Sequence, residues 1–183
     1  MKYVKISWDK LEKDCMLLAN KLKEQSIDRI ICISRGGLPW ARVLSDLMKL
    51  PVVHLAVESY ADLKQTKKPV ITESPKDIPK KENWLVVDDI SDTGDTLALV
   101  VGHLKNYRTK TIHTLTPYIK PKTKFIPDYY AESIDAWVIF PYELRETYEA
   151  FVNIYKDRKK AVEALLEVGF KESEIKLLEE LTA

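Results

Sequence analysis

Four carboxylates fall within eight residues, Asp88, Asp89, Asp92 and Asp95, directly behind the apolar run Trp84-Leu85-Val86-Val87. Like charges packed at a strand end destabilise a fold unless a cation or a cationic substrate offsets them. Paired carboxylates of this kind suit Mg²⁺, which prefers oxygen ligands, keeps several waters and commonly works beside phosphates. The second half, Asp92-Thr93-Gly94-Asp95-Thr96, has the composition of a turn entering a helix. Amides at a helix start point outward at the positive end of the dipole, and threonine hydroxyls add donors, so the segment suits a phosphate monoester. Gly94 permits close approach or a positive φ. Helix capping by Asp and Thr would explain residues 92–96 but not the leading Asp88-Asp89.

A second candidate, Ser34-Arg35-Gly36-Gly37, also follows an apolar run, Ile30-Ile31-Cys32-Ile33. Two consecutive glycines let backbone come close to an anion, and a guanidinium adds charge. An ordinary strand-to-helix turn has the same length.

These two segments need strands behind them and helices ahead of them. The β-branched runs at 30–33 and 84–87 read as buried parallel strands. Further strands are expected at 3–6, 52–57, 111–117 and 136–140. Helices are expected over 8–25, with Ser7 as its cap, over 39–49 and over 95–107. The β-α-β order implies a parallel sheet with crossover helices. Residues 61–83 break the rhythm with six lysines, four acidic residues and three prolines. A stretch of that length inside a domain reads as a functional lid or a disordered insertion, with room within it for a short hairpin because Val70-Ile71-Thr72 is β-prone. From Glu143 on, 17 of the last 41 residues are charged, ten acidic and seven basic. Two helices are expected there, 144–167 and 171–181, with Gly169 capping the first.

Composition narrows the classes. The chain has 183 residues with 45% hydrophobic content, enough for a single domain with a core. Glycine numbers only five, where average usage would give roughly thirteen, and three of the five lie in the two candidate segments. No apolar run approaches the roughly 18 residues of a membrane helix, and no secretory signal is visible. Cys15 and Cys32 are too few for a disulfide framework, so a reduced, cytoplasmic protein is expected. A net charge of +1 gives no general pull toward nucleic acid or membrane.

The run from Asp88 to Thr96, behind an apolar strand, resembles over nine consecutive positions the signature of the type I phosphoribosyltransferases, which bind 5-phosphoribosyl-1-pyrophosphate (PRPP). Ser34-Arg35-Gly36-Gly37-Leu38 with Pro39 is similar to the pyrophosphate loop of the xanthine-guanine branch, where the peptide before the arginine is often cis. Lys120 in Tyr118-Ile119-Lys120-Pro121 resembles the lysine that meets the purine O6 in the 6-oxopurine branch. Asp135-Ala136-Trp137-Val138-Ile139-Phe140-Pro141-Tyr142-Glu143 resembles its base-stacking segment. The four marks appear in the family's order.

The resemblance implies an α/β fold with a central, mostly parallel sheet flanked by helices. The expected organisation is a phosphoribosyltransferase domain over 1–143, a mobile hood loop over 61–83 and a helical C-terminal extension over 144–183. It implies an Mg²⁺-dependent transfer from PRPP to guanine, hypoxanthine or xanthine in purine salvage. Asp88 and Asp89 would hold the ribose hydroxyls, directly or through Mg²⁺. Asp92, Thr93, Gly94, Asp95 and Thr96 would hold the 5′-phosphate, and Asp92 would exchange a proton with purine N7. Ser34, Arg35, Gly36 and Gly37 would hold pyrophosphate, with a hood lysine (Lys64, Lys67 or Lys68) reaching it on closure. Lys120, Trp137, Val138 and Glu143 would bind the base. His54, His103, His113 and Cys32 read as structural. A homodimer or homotetramer is the expected assembly. A PRPP-sensing regulator of the same fold is the alternative from another class, and an enzyme for another base is the nearer one. Lys120 opposes adenine, because an ammonium donates to O6 but cannot accept from a 6-amino group.

Overall fold

The computed structural model describes residues 2–58, 68–76 and 78–182, together with the backbone of 61–62 and 65–66. Lys64 and Lys67 lie outside the described residues. In chain order the elements are β1 (Tyr3–Lys5), α1 (Trp8–Leu22), β2 (Arg29–Ser34), α2 (Leu38–Met48) and β3 (Val52–Glu58). Next come β4 (Ala61–Asp62), β5 (Gln65–Thr66), β6 (Val70–Glu73), β7 (Asn83–Val87) and β8 (Ile90–Ser91). Then follow α3 (Asp95–Leu104), β9 (Thr111–Leu115), β10 (Tyr118–Ile119), β11 (Glu132–Ser133) and β12 (Trp137–Ile139). The chain closes with α4 (Leu144–Tyr155), α5 (Arg158–Glu167) and α6 (Glu172–Thr182).

Two compact units result, one spanning Leu11–Ile134 and the other combining the residues up to Lys10 with those from Asp135 on. The first is built on a five-stranded sheet in the order β6-β3-β2-β7-β9. β2 pairs in parallel with both β3 and β7, β7 pairs in parallel with β9, and β6 adds an antiparallel edge to β3. All five residues of β7 are buried, as are Ile30, Ile31, Cys32 and Ile33 of β2, so both strands are covered on both faces. Ile31, Ile33, Trp84 and Val86 pack with Leu97, Val100 and Leu104 of α3. The alternate residues, Ile30, Cys32, Leu85 and Val87, point to the other face and are equally buried. Pro39 sits in the first turn of α2, where a missing N–H leaves no hydrogen bond unmade.

In the second unit β1 and β12 form a parallel pair, with Tyr3 opposite Trp137 and Lys5 opposite Ile139. Ile139, Phe151, Ala161, Leu165, Phe170, Ile175 and Leu178 form its core. Lys5 ties the strand to the helices: its ammonium donates to Gly169 O at 2.9 Å and lies 4.0 Å from the Phe170 ring centroid.

Several boundaries differ from the sequence expectation. The helices expected over 8–25 and 95–107 end at Leu22 and Leu104, and the remaining residues form turns. The helix expected over 144–167 is two helices. Lys156 adopts the left-handed conformation (φ 51°) and ends α4, and the Asp157 carboxylate accepts from Lys160 N at 3.2 Å to start α5. Gly169 (φ 95°) closes α5 with two bonds, Gly169 N to Leu166 O and Phe170 N to Leu165 O, each 3.0 Å. Within residues 61–83 the described backbone holds an antiparallel pair, β4 with β5, Ala61 opposite Thr66, while the β-prone Val70-Ile71-Thr72 joins the main sheet as β6, antiparallel to β3.

Candidate active site

In the order β3-β2-β7-β9 the chain moves outward in one direction from β2 to β3 and in the other from β7 to β9. The reversal therefore lies between β2 and β7. At such a reversal the connections leave opposite faces, and a crevice opens off the carboxyl ends of the two strands. The two segments selected from sequence leave those ends: Ser34–Gly37 after β2 and Asp88–Thr96 after β7.

The glycines of the first segment let it reach the second. A β-carbon on Gly36 would collide with the Asp89 carboxylate, 2.6 Å from its Cγ. One on Gly37 would lie 2.6 Å from Val87 O and 2.7 Å from Ile33 O. Both positions thus require glycine for close approach. The Gly37 amide donates to Ile33 O at 2.9 Å as the chain turns into α2. The Ser34–Arg35 peptide is cis. Ser34 is half-buried and Arg35 exposed.

In the acidic segment Asp88 is buried and Asp89 half-buried. Burial pushes the Asp88 carboxyl up, against the opposing pull of the Asp89 amide, which donates to Asp88 Oδ1 at 3.0 Å. Among the described residues no cluster of three or more His, Cys, Asp or Glu is placed to hold a metal ion. Asp88 and Asp89 form an oxygen donor set of two, which fits Mg²⁺ bound through one or two carboxylates with waters and substrate oxygens completing the shell.

Gly94 holds φ 88° at the start of α3, and no side chain caps that terminus. A β-carbon there would lie 2.5 Å from Phe125 N. The Thr93 hydroxyl donates to Asp95 Oδ2 at 3.0 Å and accepts from Asp95 N at 3.3 Å. Asp92, Thr93 and Asp95 are exposed, and Thr96 is half-buried.

A parallel pairing brings the proposed O6 lysine beside this turn. β10 pairs with β8, Ile119 opposite Ser91, and the Lys120 amide donates to Ser91 O at 2.9 Å. The loop after Lys120 then folds back: Lys124 N donates to Thr93 O at 2.9 Å, and the Ser91 and Thr123 hydroxyls lie 2.8 Å apart. Its Lys122 forms an ion pair of 2.9 Å with Asp92. Sequence reading passed over Lys122, Thr123 and Phe125. Their part depends on a loop folding back over residues 91–94, which no local pattern announces.

Lys120, Ser34–Gly37 and Asp88–Thr96 thus belong to the unit spanning Leu11–Ile134. Trp137, Val138 and Glu143 belong to the other. There Trp137 is 51% exposed on β12, while Val138 is buried. The Glu143 carboxylate accepts from Phe140 N at 3.2 Å. Lys68 of the hood is exposed. Cys32 is buried at the centre of β2, and burial pushes its thiol up to about 12, so it is not a nucleophile. A cavity of about 510 Å³ behind α3 and β9, bordered by Lys105, Lys110, Thr114 and Phe125, contains none of the residues selected from sequence.

A sheet reversal with a glycine-tight loop on one strand and an acidic, helix-starting turn on the next defines an α/β protein built to bind an anionic ligand off its strand ends. A family model for the phosphoribosyl transferase domain matches residues 7–148. The chain belongs to the phosphoribosyltransferase family, and its relatives place it in the 6-oxopurine branch of the type I fold. It is 32% identical to the xanthine-guanine phosphoribosyltransferase of Chromohalobacter salexigens over 146 residues, 78% of this chain and 85% of that one. Among solved structures, the purine phosphoribosyltransferase of Pyrococcus horikoshii is 36% identical with a TM-score of 0.71, covering 78% of this chain and 95% of the other. The xanthine-guanine-hypoxanthine enzyme of Helicobacter pylori shares the fold at a TM-score of 0.68 and 21% identity, over 85% of this chain and 99% of that one. Among the described residues no helix is long and apolar enough to cross a membrane.

Proposed function

We propose that this chain transfers the 5-phosphoribosyl group of PRPP to N9 of a 6-oxopurine (guanine, hypoxanthine or xanthine), releasing pyrophosphate and a nucleoside monophosphate in purine salvage. The observation that carries this reading is the contact of Gly36 with Asp89 at the sheet reversal. It supports the reading because a loop suited to pyrophosphate meets one suited to the ribose hydroxyls and 5′-phosphate, the two ends of a single substrate.

Departure of pyrophosphate from C1 builds positive charge on the ribose and negative charge on the leaving group. Arg35 and its loop stabilise the leaving group where charge develops. Asp88 and Asp89 orient the ribose hydroxyls, and the uncapped start of α3 with Thr93, Asp95 and Thr96 anchors the 5′-phosphate. Mg²⁺, held by Asp88 and Asp89, would supply charge neutralisation for the phosphate oxygens. Asp92 takes the proton at N7 as N9 bonds to C1. Lys120 donates to O6, Trp137 stacks on the ring, and the backbone around Val138 with Glu143 reads the position-2 substituent. Much of the acceleration is positioning. Closure of the hood, carrying Lys68, would exclude water from the charged intermediate.

The proposed setting is the cytoplasm, and the proposed assembly a homodimer or homotetramer, checked by light scattering. The decisive experiment measures pyrophosphate release with PRPP, Mg²⁺ and guanine, hypoxanthine, xanthine or adenine, with a chelator control. Release with the three oxo-bases and not adenine is expected. No release with any base, alongside retained PRPP binding, would instead identify a PRPP-sensing regulator.

A further inference from the structure

The Lys122–Asp92 ion pair has a setting that an incidental surface contact lacks. Its two side chains are 68% and 50% exposed, and pairs so exposed contribute only about 0–1 kcal/mol to stability. The fold nevertheless holds the loop bearing Lys122 on both sides of Asp92. Lys120 N donates to Ser91 O, and Lys124 N donates to Thr93 O, so Lys122 is suspended between two bonds that bracket Asp92. Inside the loop, Thr123 N donates to Lys120 O at 3.0 Å, the Thr123 hydroxyl donates to Phe125 O at 3.1 Å, and Ser91 Oγ donates to the same carbonyl at 2.9 Å. Among the described residues Lys122 is the sole partner of the Asp92 side chain.

We infer that Lys122 is a positioning residue for the proton transfer, holding the Asp92 carboxylate by Oδ1 so that Oδ2 faces purine N7. This rests on the reaction proposed above. A carboxylate on an exposed turn otherwise samples several rotamers. General-base efficiency depends on holding an oxygen within hydrogen-bond reach of the proton it takes. With its loop pinned by backbone bonds on both sides of Asp92, the Lys122 ammonium selects the rotamer through Oδ1 and leaves Oδ2 for the base. The division of labour gives two lysines of one short loop separate tasks, Lys120 toward the base and Lys122 toward the residue that takes its proton.

The experiment begins with wild-type turnover of PRPP and guanine. Absence of turnover would refute the proposed reaction and leave no role for Lys122. With turnover in hand, K122Q, K122R and the distant surface variant K105Q are compared for kcat, for KM of PRPP and for melting temperature, and K122Q is repeated in a D92N background. Loss of one positioned proton acceptor is worth 10²–10⁴-fold, so loosening it is expected to lower kcat about tenfold. KM for PRPP should stay within about twofold and melting within about 1 °C, as for an exposed ion pair. K122R should recover most of the rate, K105Q should match wild type, and K122Q should add nothing once Asp92 is Asn. An unchanged kcat in K122Q, an equal loss in the D92N background, a loss confined to KM for PRPP, or failure of K122R to recover the rate would each overturn the inference.

Discussion

Gly36 and Asp89 occupy one space: the missing side chain of the first is filled by the carboxylate of the second. Residues 53 positions apart are thereby locked together, each on a loop leaving a different strand of the sheet reversal. The carboxylate ends a short side chain that can swing away, whereas the neighbours of Gly37 are backbone carbonyls that cannot. Gly36→Ala is therefore expected to fold, with a melting temperature within a few degrees of wild type. Its kcat/KM for PRPP should fall about 10- to 100-fold, because about an ångström of displacement at a reacting site has that scale. Steady-state kinetics beside calorimetry checks both. Near-wild-type kcat/KM would show that the displaced Asp89 is not needed.

Gly94 poses a harsher demand. Its φ of 88° strains any L side chain, and Phe125 stands where a β-carbon would go. Gly94→Ala should lose about 2 kcal/mol or more of stability, combining the left-handed penalty with the clash. PRPP protection against thermal unfolding should vanish with it. Chemical denaturation with and without PRPP measures the two effects.

Gly102 is the counter-case. It lies inside α3, and a β-carbon there would meet nothing within 4 Å. Gly102→Ala should stabilise by about 0.5–1 kcal/mol, the helix-propensity difference. Activity should not change. A destabilised variant would mean that an assembly contact covers that face.

The opposite end of the sheet carries a pH-dependent tie. Arg29 opens β2, and its guanidinium donates twice to Glu82, at 2.8 and 3.0 Å, just ahead of β7. The hydrogen bond from Arg29 holds the Glu82 carboxyl below its ordinary value. A lowered carboxyl contributes stability above its unfolded value, near 4.3, and loses it as pH falls through the folded value. Glu82→Gln should therefore cost about 1–2 kcal/mol at pH 7. The gap to wild type should close below about pH 4. Urea melts across that range test the sign, and turnover at pH 7 should be retained.

What could be read from sequence was what lies contiguous in the chain. The acidic turn and the glycine loop are each unbroken segments behind apolar strands, and their neighbourhood follows once the sheet is known to be parallel. The break at Lys156 escaped because a lysine in the left-handed conformation carries no compositional mark, unlike Gly169 a turn later. The Asp92–Lys122 pair escaped because it joins residues 30 positions apart through a loop pinned mostly by backbone bonds. For Gly37 the sequence shows that a side chain is missing, not that the Val87 and Ile33 carbonyls stand where its β-carbon would go.

The strand bearing Trp137 has one partner among the described residues, the three-residue strand Tyr3–Lys5, and Trp137 N itself donates to Lys2 O at 2.8 Å. In the proposed reaction the base-stacking residue would thus rest on the pairing with Tyr3–Lys5, while the loops proposed to hold phosphates belong to the unit spanning Leu11–Ile134. A substitution that breaks the pairing of Tyr3–Lys5 with Trp137–Ile139 is expected to perturb discrimination among purines and to leave PRPP affinity unchanged.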